Sequence, residues 1–154
     1  MKSAVSLGIP HTTGHDFFED LESRFVRVNR HACPTGFKRL DAKDIFSGGI
    51  GRGEIAVVVG NTGTGKSHWL VGVGANAMRA GKNVLHYTFE LSETAVGIRY
   101  DSNLCHIPSN DVQDQKDLVK ETYQNKELGR LIIKEYPTGS ATVTTLRNHI
   151  EKLS

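Results

Sequence analysis

The chain has 154 residues, 38% of them hydrophobic and 23% charged, with a net charge of +2 at neutral pH. That length supports one domain with a real core and hardly two, and so slight a positive excess makes no case by itself for a nucleic-acid-binding surface. Two cysteines, Cys33 and Cys105, are no disulfide framework and point to a reducing compartment. With no apolar run of membrane-spanning length and no signal-peptide core, the expected setting is cytoplasmic, with no membrane partner.

In chain order, residues Met1 to Gly14 carry no useful periodicity, because Gly8, Pro10 and Gly14 interrupt it. From His15 to Val28, Phe17, Phe18, Leu21, Phe25, Val26 and Val28 fall mostly at helical spacing between charged residues, which predicts an amphipathic helix. Such a helix either packs on its own domain or lies on a neighbouring subunit, and the pattern leaves both open. Residues 30–53 are punctuated by Pro34, Gly36, Gly48, Gly49, Gly51 and Gly53; Phe37, Leu40, Ile45 and Phe46 suggest a short helix or two between them. The run Ile55-Ala56-Val57-Val58-Val59 reads as a parallel strand buried on both faces.

A helix is predicted over Lys66–Arg79, weakened by Gly72 and Gly74 and stopped at Ala80-Gly81, with Trp69 a packing residue. A second strand covers Asn83 to Phe89, and a crossover of that length implies a right-handed parallel pair. Ser92 is a plausible N-cap for a helix from Glu93 to Cys105. A polar helix with a thin stripe of Val112, Leu118, Val119 and Tyr123 is predicted over Asp111–Leu128, stopped by Gly129. Leu131 to Tyr136 forms a third strand, Pro137-Thr138-Gly139 its turn, and an amphipathic helix with Val143, Leu146, Ile150 and Leu153 follows. Alternating strands and helices without repeats mean α/β with a parallel sheet.

The chemistry concentrates in Gly60-Asn61-Thr62-Gly63-Thr64-Gly65-Lys66-Ser67, which reads G-x-x-x-x-G-K-S between a predicted strand and a predicted helix. That is the setting of a phosphate-binding loop. Glycines let successive N–H groups point into one concavity, and the helix start adds its own N–H groups and positive dipole end. Lys66 is expected to reach the β- and γ-phosphates and Ser67 to bind Mg²⁺, so ATP with Mg²⁺ is the expected ligand. Glu90, at the carboxyl end of the second strand, stands at the edge where open α/β sheets bind ligands. It is either a carboxylate that orients the attacking water or a solvated strand-end charge. A second-strand aspartate for Mg²⁺ is missing: Leu131-Ile132-Ile133 runs into Lys134-Glu135, and Glu135 is a weak substitute.

Beside these residues stands a resemblance. Cys33-Pro34-Thr35-Gly36-Phe37-Lys38-Arg39-Leu40-Asp41, the Ser47–Glu54 turn and the Gly60–Ser67 loop resemble the start of a RecA-type ATPase core. Asn83 to Ser92 resembles the strand of DnaB-type replicative helicases that ends in a catalytic glutamate, and Arg99 matches the arginine nine residues after it. The 15–20 segment and the stretch from Gly129 to Gly139 look most like phage members of that group, and the resemblance covers about Gly14 to Leu153.

The resemblance implies a P-loop NTPase of RecA-like fold, a partial parallel sheet flanked by helices and preceded by an amphipathic linker helix. Residues 1–30 would be the linker segment and 31–154 the amino-terminal part of the ATPase domain. It implies Glu90 as general base with Lys66 as catalytic partner, a homo-hexameric parent whose linker helix docks on the next subunit, and single-stranded DNA as the track. His68, directly after Ser67, is bulkier than usual there. An amino-terminal interaction domain, the aspartate-bearing strand, the DNA-contacting loops and the arginine finger have no counterpart here, so the chain is expected to be a fragment. The expected function is the ATP-binding portion of a helicase that couples hydrolysis to translocation and unwinding. The alternatives are a recombinase- or clock-type RecA-like ATPase and a non-catalytic nucleotide-binding or interaction module; a P-loop kinase is more distant.

Overall fold

A computed structural model describes residues 14–26, 29–124 and 127–153. The chain divides into two compact units, Met1–Arg30 and His31–Ser154, and each is taken by itself. Among the described residues no helix is long and apolar enough to cross a membrane.

In the first unit the predicted helix does not form over its expected length. The Asp16 carboxylate accepts the N–H groups of Phe18 and Glu19, both at 2.9 Å, a local turn that competes with helical hydrogen bonding. One 3₁₀ turn follows, Leu21–Phe25, with none of its residues buried. The Arg24 guanidinium lies 4.2 Å over the Phe17 ring and donates to the Phe17 carbonyl. Phe17, Phe18 and Phe25 are all exposed. An amphipathic helix this short is marginal in water unless something covers its apolar stripe, and nothing among the described residues of this unit does. Arg27 and Val28, at the end of the predicted helix, lie outside the described residues.

The second unit is α/β. A two-stranded parallel sheet pairs β1 (Val84–Thr88) with β2 (Leu131–Glu135) in a register running from Val84 opposite Leu131 to Thr88 opposite Glu135. Four helices accompany it: α1 (Lys66–Arg79), α2 (Glu93–Cys105), α3 (Lys116–Gln124) and α4 (Val143–Leu153). The core is one cluster in which Val71, Ala75 and Met78 of α1 meet Val96, Tyr100 and Leu104 of α2, with Val84, Leu131 and Ile133 of the sheet packed against it. Gly74 has a structural reason: a Cβ there would stand 2.1 Å from the Tyr100 hydroxyl oxygen. The glycine that weakens α1 locally is what lets α2 approach. On the other face of the sheet the Tyr87 hydroxyl pairs with His149 Nδ1 of α4 at 2.9 Å. Cys33 and Cys105 are free thiols.

Residues 31–53 form turns rather than the expected short helices. Cys33 and Ile50 exchange backbone hydrogen bonds of 2.8 and 2.9 Å as an antiparallel bridge. Inside it, the Asp41 carboxylate accepts from the Thr35 N–H and hydroxyl and from the Gly36 N–H, at 2.8–2.9 Å. Partial burial works to raise the Asp41 pKa, but these donors leave it below its ordinary value. The Asn76 side chain of α1 donates to the Thr35 carbonyl at 2.9 Å, and the Phe37 ring stacks on Trp69 at 5.7 Å. The turns are thereby fastened to α1, and Trp69 is a packing residue.

Two further predicted elements are corrected. The segment 55–59 is not a strand: it bonds to no strand among the described residues, and Ile55, Val57 and Val59 are 90%, 78% and 89% exposed. A strand exists only as half of a ladder, and β1 and β2 use their described pairing on each other. The polar helix predicted from Asp111 begins only at Lys116, and residues 125–126 lie outside the described set. Of its thin stripe only Val112 is fully buried, while Leu118 and Tyr123 stay partly exposed, so little packing extends the helix.

Leu104 is 1% exposed in the centre of the α1–α2 contact, whereas Leu118 is 44% exposed. Leu104→Ala is expected to lower unfolding stability by about 2–5 kcal/mol and Leu118→Ala by under about 1 kcal/mol, measured by denaturant titration.

Candidate functional site

The loop 60–67 is held by its own polar groups. The Asn61 carbonyl accepts from Lys66 Nζ at 2.7 Å, from the Thr64 hydroxyl at 2.8 Å and from the Thr64 N–H at 3.3 Å. Gly63 and Gly65 take left-handed backbone angles, φ 81° and 89°, which non-glycine residues adopt only at a cost. Gly65 is the N-cap of α1 and brings no capping side chain, and no acidic residue stands in the first turn. The amide end of α1, with its positive partial charge, is therefore not neutralised by a side chain of its own first turn. Gly60, Asn61, Thr62, Gly63, Thr64 and Ser67 are exposed, while Gly65 and Lys66 are half-buried.

Glu90 lies just beyond β1 on an ordered turn. The buried Thr88 hydroxyl donates to the Leu91 carbonyl at 2.9 Å and accepts the Leu91 N–H at 3.1 Å, closing the turn around Phe89 and Glu90. The Thr138 hydroxyl donates to the Phe89 carbonyl at 2.9 Å, and the Ser92 hydroxyl accepts the Ala95 N–H at 3.1 Å and caps α2. Between the start of α1, the end of β1 and the side of α2 lies a cleft of about 210 Å³, lined by Ser67, Leu70, His86, Glu90, Val96 and Arg99 among others. The structure thus brings Ser67 and Glu90, 23 residues apart by their numbers, to one cavity. Lys66 is not in its lining, because its ammonium turns onto Asn61.

Sequence reasoning missed Thr88 and His86. Thr88 sits in a strand where a threonine excites no notice; its role lies in the turn that follows. His86 Nδ1 lies 3.1 Å from the Tyr100 hydroxyl, and burial depresses the His86 pKa below its ordinary 6.5. Burial pushes the Tyr100 phenol up to about 12. Glu135, the weak substitute for a metal-binding aspartate, ends β2 with its N–H donated to Glu93 Oε1 at 3.1 Å; Lys134 Nζ binds the same oxygen at 3.1 Å. The Glu135 N–H foremost, and Lys134 with it, hold the Glu93 carboxyl below its usual range. No group of three or more His, Cys, Asp or Glu side chains that could hold a metal occurs among the described residues. The hydroxyl of Ser67 suits a cation that arrives already carrying phosphate oxygens, as Mg²⁺ with a nucleotide does.

A buried neutral histidine makes stability depend on pH. With its folded pKa below 6.5, His86 leaves the unfolded chain binding a proton that the folded chain refuses. Its contribution is fully present above pH 6.5 and is lost as pH falls through the lowered folded value. His86→Gln is expected to flatten the fall in unfolding free energy below pH 6.5, followed by denaturant titrations across a pH series.

No family model matches the chain. It is 30% identical over 160 aligned residues to a DnaB-like replicative helicase of Enterobacteria phage T4, an alignment covering 99% of this chain and 34% of that protein. The chain spans about a third of the length of the curated relative it matches. Because the similarity runs through nearly the whole chain, this protein and that replicative helicase are related.

Proposed function

We propose that the chain is the ATP-binding portion of a DnaB-like replicative DNA helicase with a RecA-like core, whose parent hydrolyses ATP to move along single-stranded DNA and unwind it. The observation that carries this is a cleft at the carboxyl end of β1 that Ser67 of the Gly60–Ser67 loop lines together with Glu90. The similarity to the phage helicase supports it. In this reading the exposed glycine loop and the uncapped end of α1 receive the α- and β-phosphates. Lys66 exchanges the Asn61 carbonyl for the β- and γ-phosphates, a charge-assisted replacement for a neutral bond. Ser67 would hold Mg²⁺, which supplies charge neutralisation on the phosphate oxygens.

Glu90, on the turn that Thr88 closes, orients the attacking water as general base. The parent works as a homo-hexamer in the cytoplasm, and the exposed Phe17, Phe18 and Phe25 of the first unit dock on the neighbouring subunit. One observation favours a narrower activity for the 154 residues alone. β2 ends in Lys134-Glu135 and carries no aspartate to hold Mg²⁺, so this stretch binds nucleotide with negligible turnover.

Lys66→Ala is expected to weaken Mg-ATP binding at least about tenfold, measured by calorimetric titration, while Glu90→Gln leaves affinity within about threefold. Equal affinity of Lys66→Ala and the wild type would remove the loop from the site. Phosphate release by the 154-residue chain that vanishes in Glu90→Gln would show that it carries a complete catalytic centre.

A further inference from the structure

Arg99 is the described arginine whose environment lacks an answer. Arg24, Arg30, Arg39 and Arg79 have interaction partners, and Arg52, Arg130 and Arg147 extend from exposed positions. Arg99 is half-buried on α2, between Val96, which lines the cleft, and the core residue Tyr100, and it has no hydrogen bond or ion pair among the described residues. Its planar fork of five donors matches phosphate oxygens. Arg99 lines the same cleft as Ser67 and Glu90, and Glu90 likewise has no described side-chain partner.

The cleft joins this cation to the loop: Ser67, at the start of α1, lines it together with Glu90 and Arg99. A phosphate chain held by the loop would extend into the cleft with its terminal group, the part that a diphosphate lacks. That group brings negative charge towards the Glu90 carboxylate, and a cation lining the same cavity offsets the repulsion.

We infer that Arg99 binds the terminal phosphoryl group and makes this site prefer a nucleoside triphosphate to the diphosphate. The inference rests on the nucleotide-binding reading above and adds the residue that discriminates the two ligands. Arg99 acts within its own chain and at the terminal phosphate only.

The test is calorimetric titration of the full chain with Mg-ATP and, separately, Mg-ADP, for the wild type, Arg99→Gln, Arg99→Lys and Lys66→Ala, with thermal unfolding of each. Arg99→Gln is expected to lose at least about tenfold in ATP affinity and less than about twofold in ADP affinity, with Arg99→Lys in between. A structural role for Arg99 would weaken both ligands together, so an unchanged ATP-to-ADP ratio in Arg99→Gln overturns the inference. Should Arg99→Gln not fold, Arg99→Lys carries the test: a reduced ratio supports the role and an unchanged ratio overturns it. Were the wild type to bind neither nucleotide, the nucleotide-binding reading would fall and this inference with it. Loss of affinity in Lys66→Ala beside an unchanged ratio in Arg99→Gln sinks only the role of Arg99.

Discussion

The seating of α1 against α2 is the contact on which the rest of the second unit depends. Val71, Ala75 and Met78 close on Val96, Tyr100 and Leu104, and the missing side chain at Gly74 lets the Tyr100 hydroxyl reach the backbone of α1. The same tyrosine pairs with His86 of β1, so one aromatic side chain ties both helices to the strand. Because α1 begins where the glycine loop ends and α2 begins just past the β1 turn, their packing fixes how far Ser67 stands from Glu90 and Arg99. The cleft is a consequence of helix packing, and its polar residues occupy positions that the apolar contact defines.

Local hydrogen bonding completes the arrangement. Asp41 organises the turn at Thr35 and Gly36, Asn76 of α1 takes hold of that turn, and Phe37 stacks on Trp69 one turn from the loop. Thr88 performs the corresponding service at the end of β1. In each case a buried or half-buried polar group is satisfied by a neighbouring backbone, which is how a loop keeps a single geometry next to a cavity. The segment 55–59 has no such support. Its alternate apolar side chains and unpaired backbone face solvent, a surface suited to another strand.

Elements that satisfy themselves locally were legible in the sequence. α1 and α2 match their predicted spans and α4 holds the four apolar residues expected of it, since an apolar stripe, a serine cap and a glycine stop act within a few residues. β1 and β2 were legible too, as short β-branched and aromatic runs bounded by polar turns. The elements that failed need something outside themselves. The 55–59 strand requires a ladder partner, and the 15–28 helix requires a covering surface; Asp16 meanwhile offers the backbone a competing turn. Within the candidate site, the spacing of the glycine loop and the strand-end position of Glu90 could be read directly, whereas the Asn61 carbonyl holding Lys66 could not.

By itself the sequence determined the alternation of helices and strands, the phosphate-loop pattern and the placement of Glu90 after a strand, because these follow from periodicity and short-range stereochemistry. Only the tertiary structure decided that Ser67, Glu90 and Arg99 share one cavity, that Gly74 is a packing residue, and that 55–59 pairs with no strand among the described residues. The physical reason is range. A hydrogen bond within a turn is written in neighbouring residues, but a cavity and a β-ladder are made by segments tens of residues apart, and they exist only where packing brings those segments together.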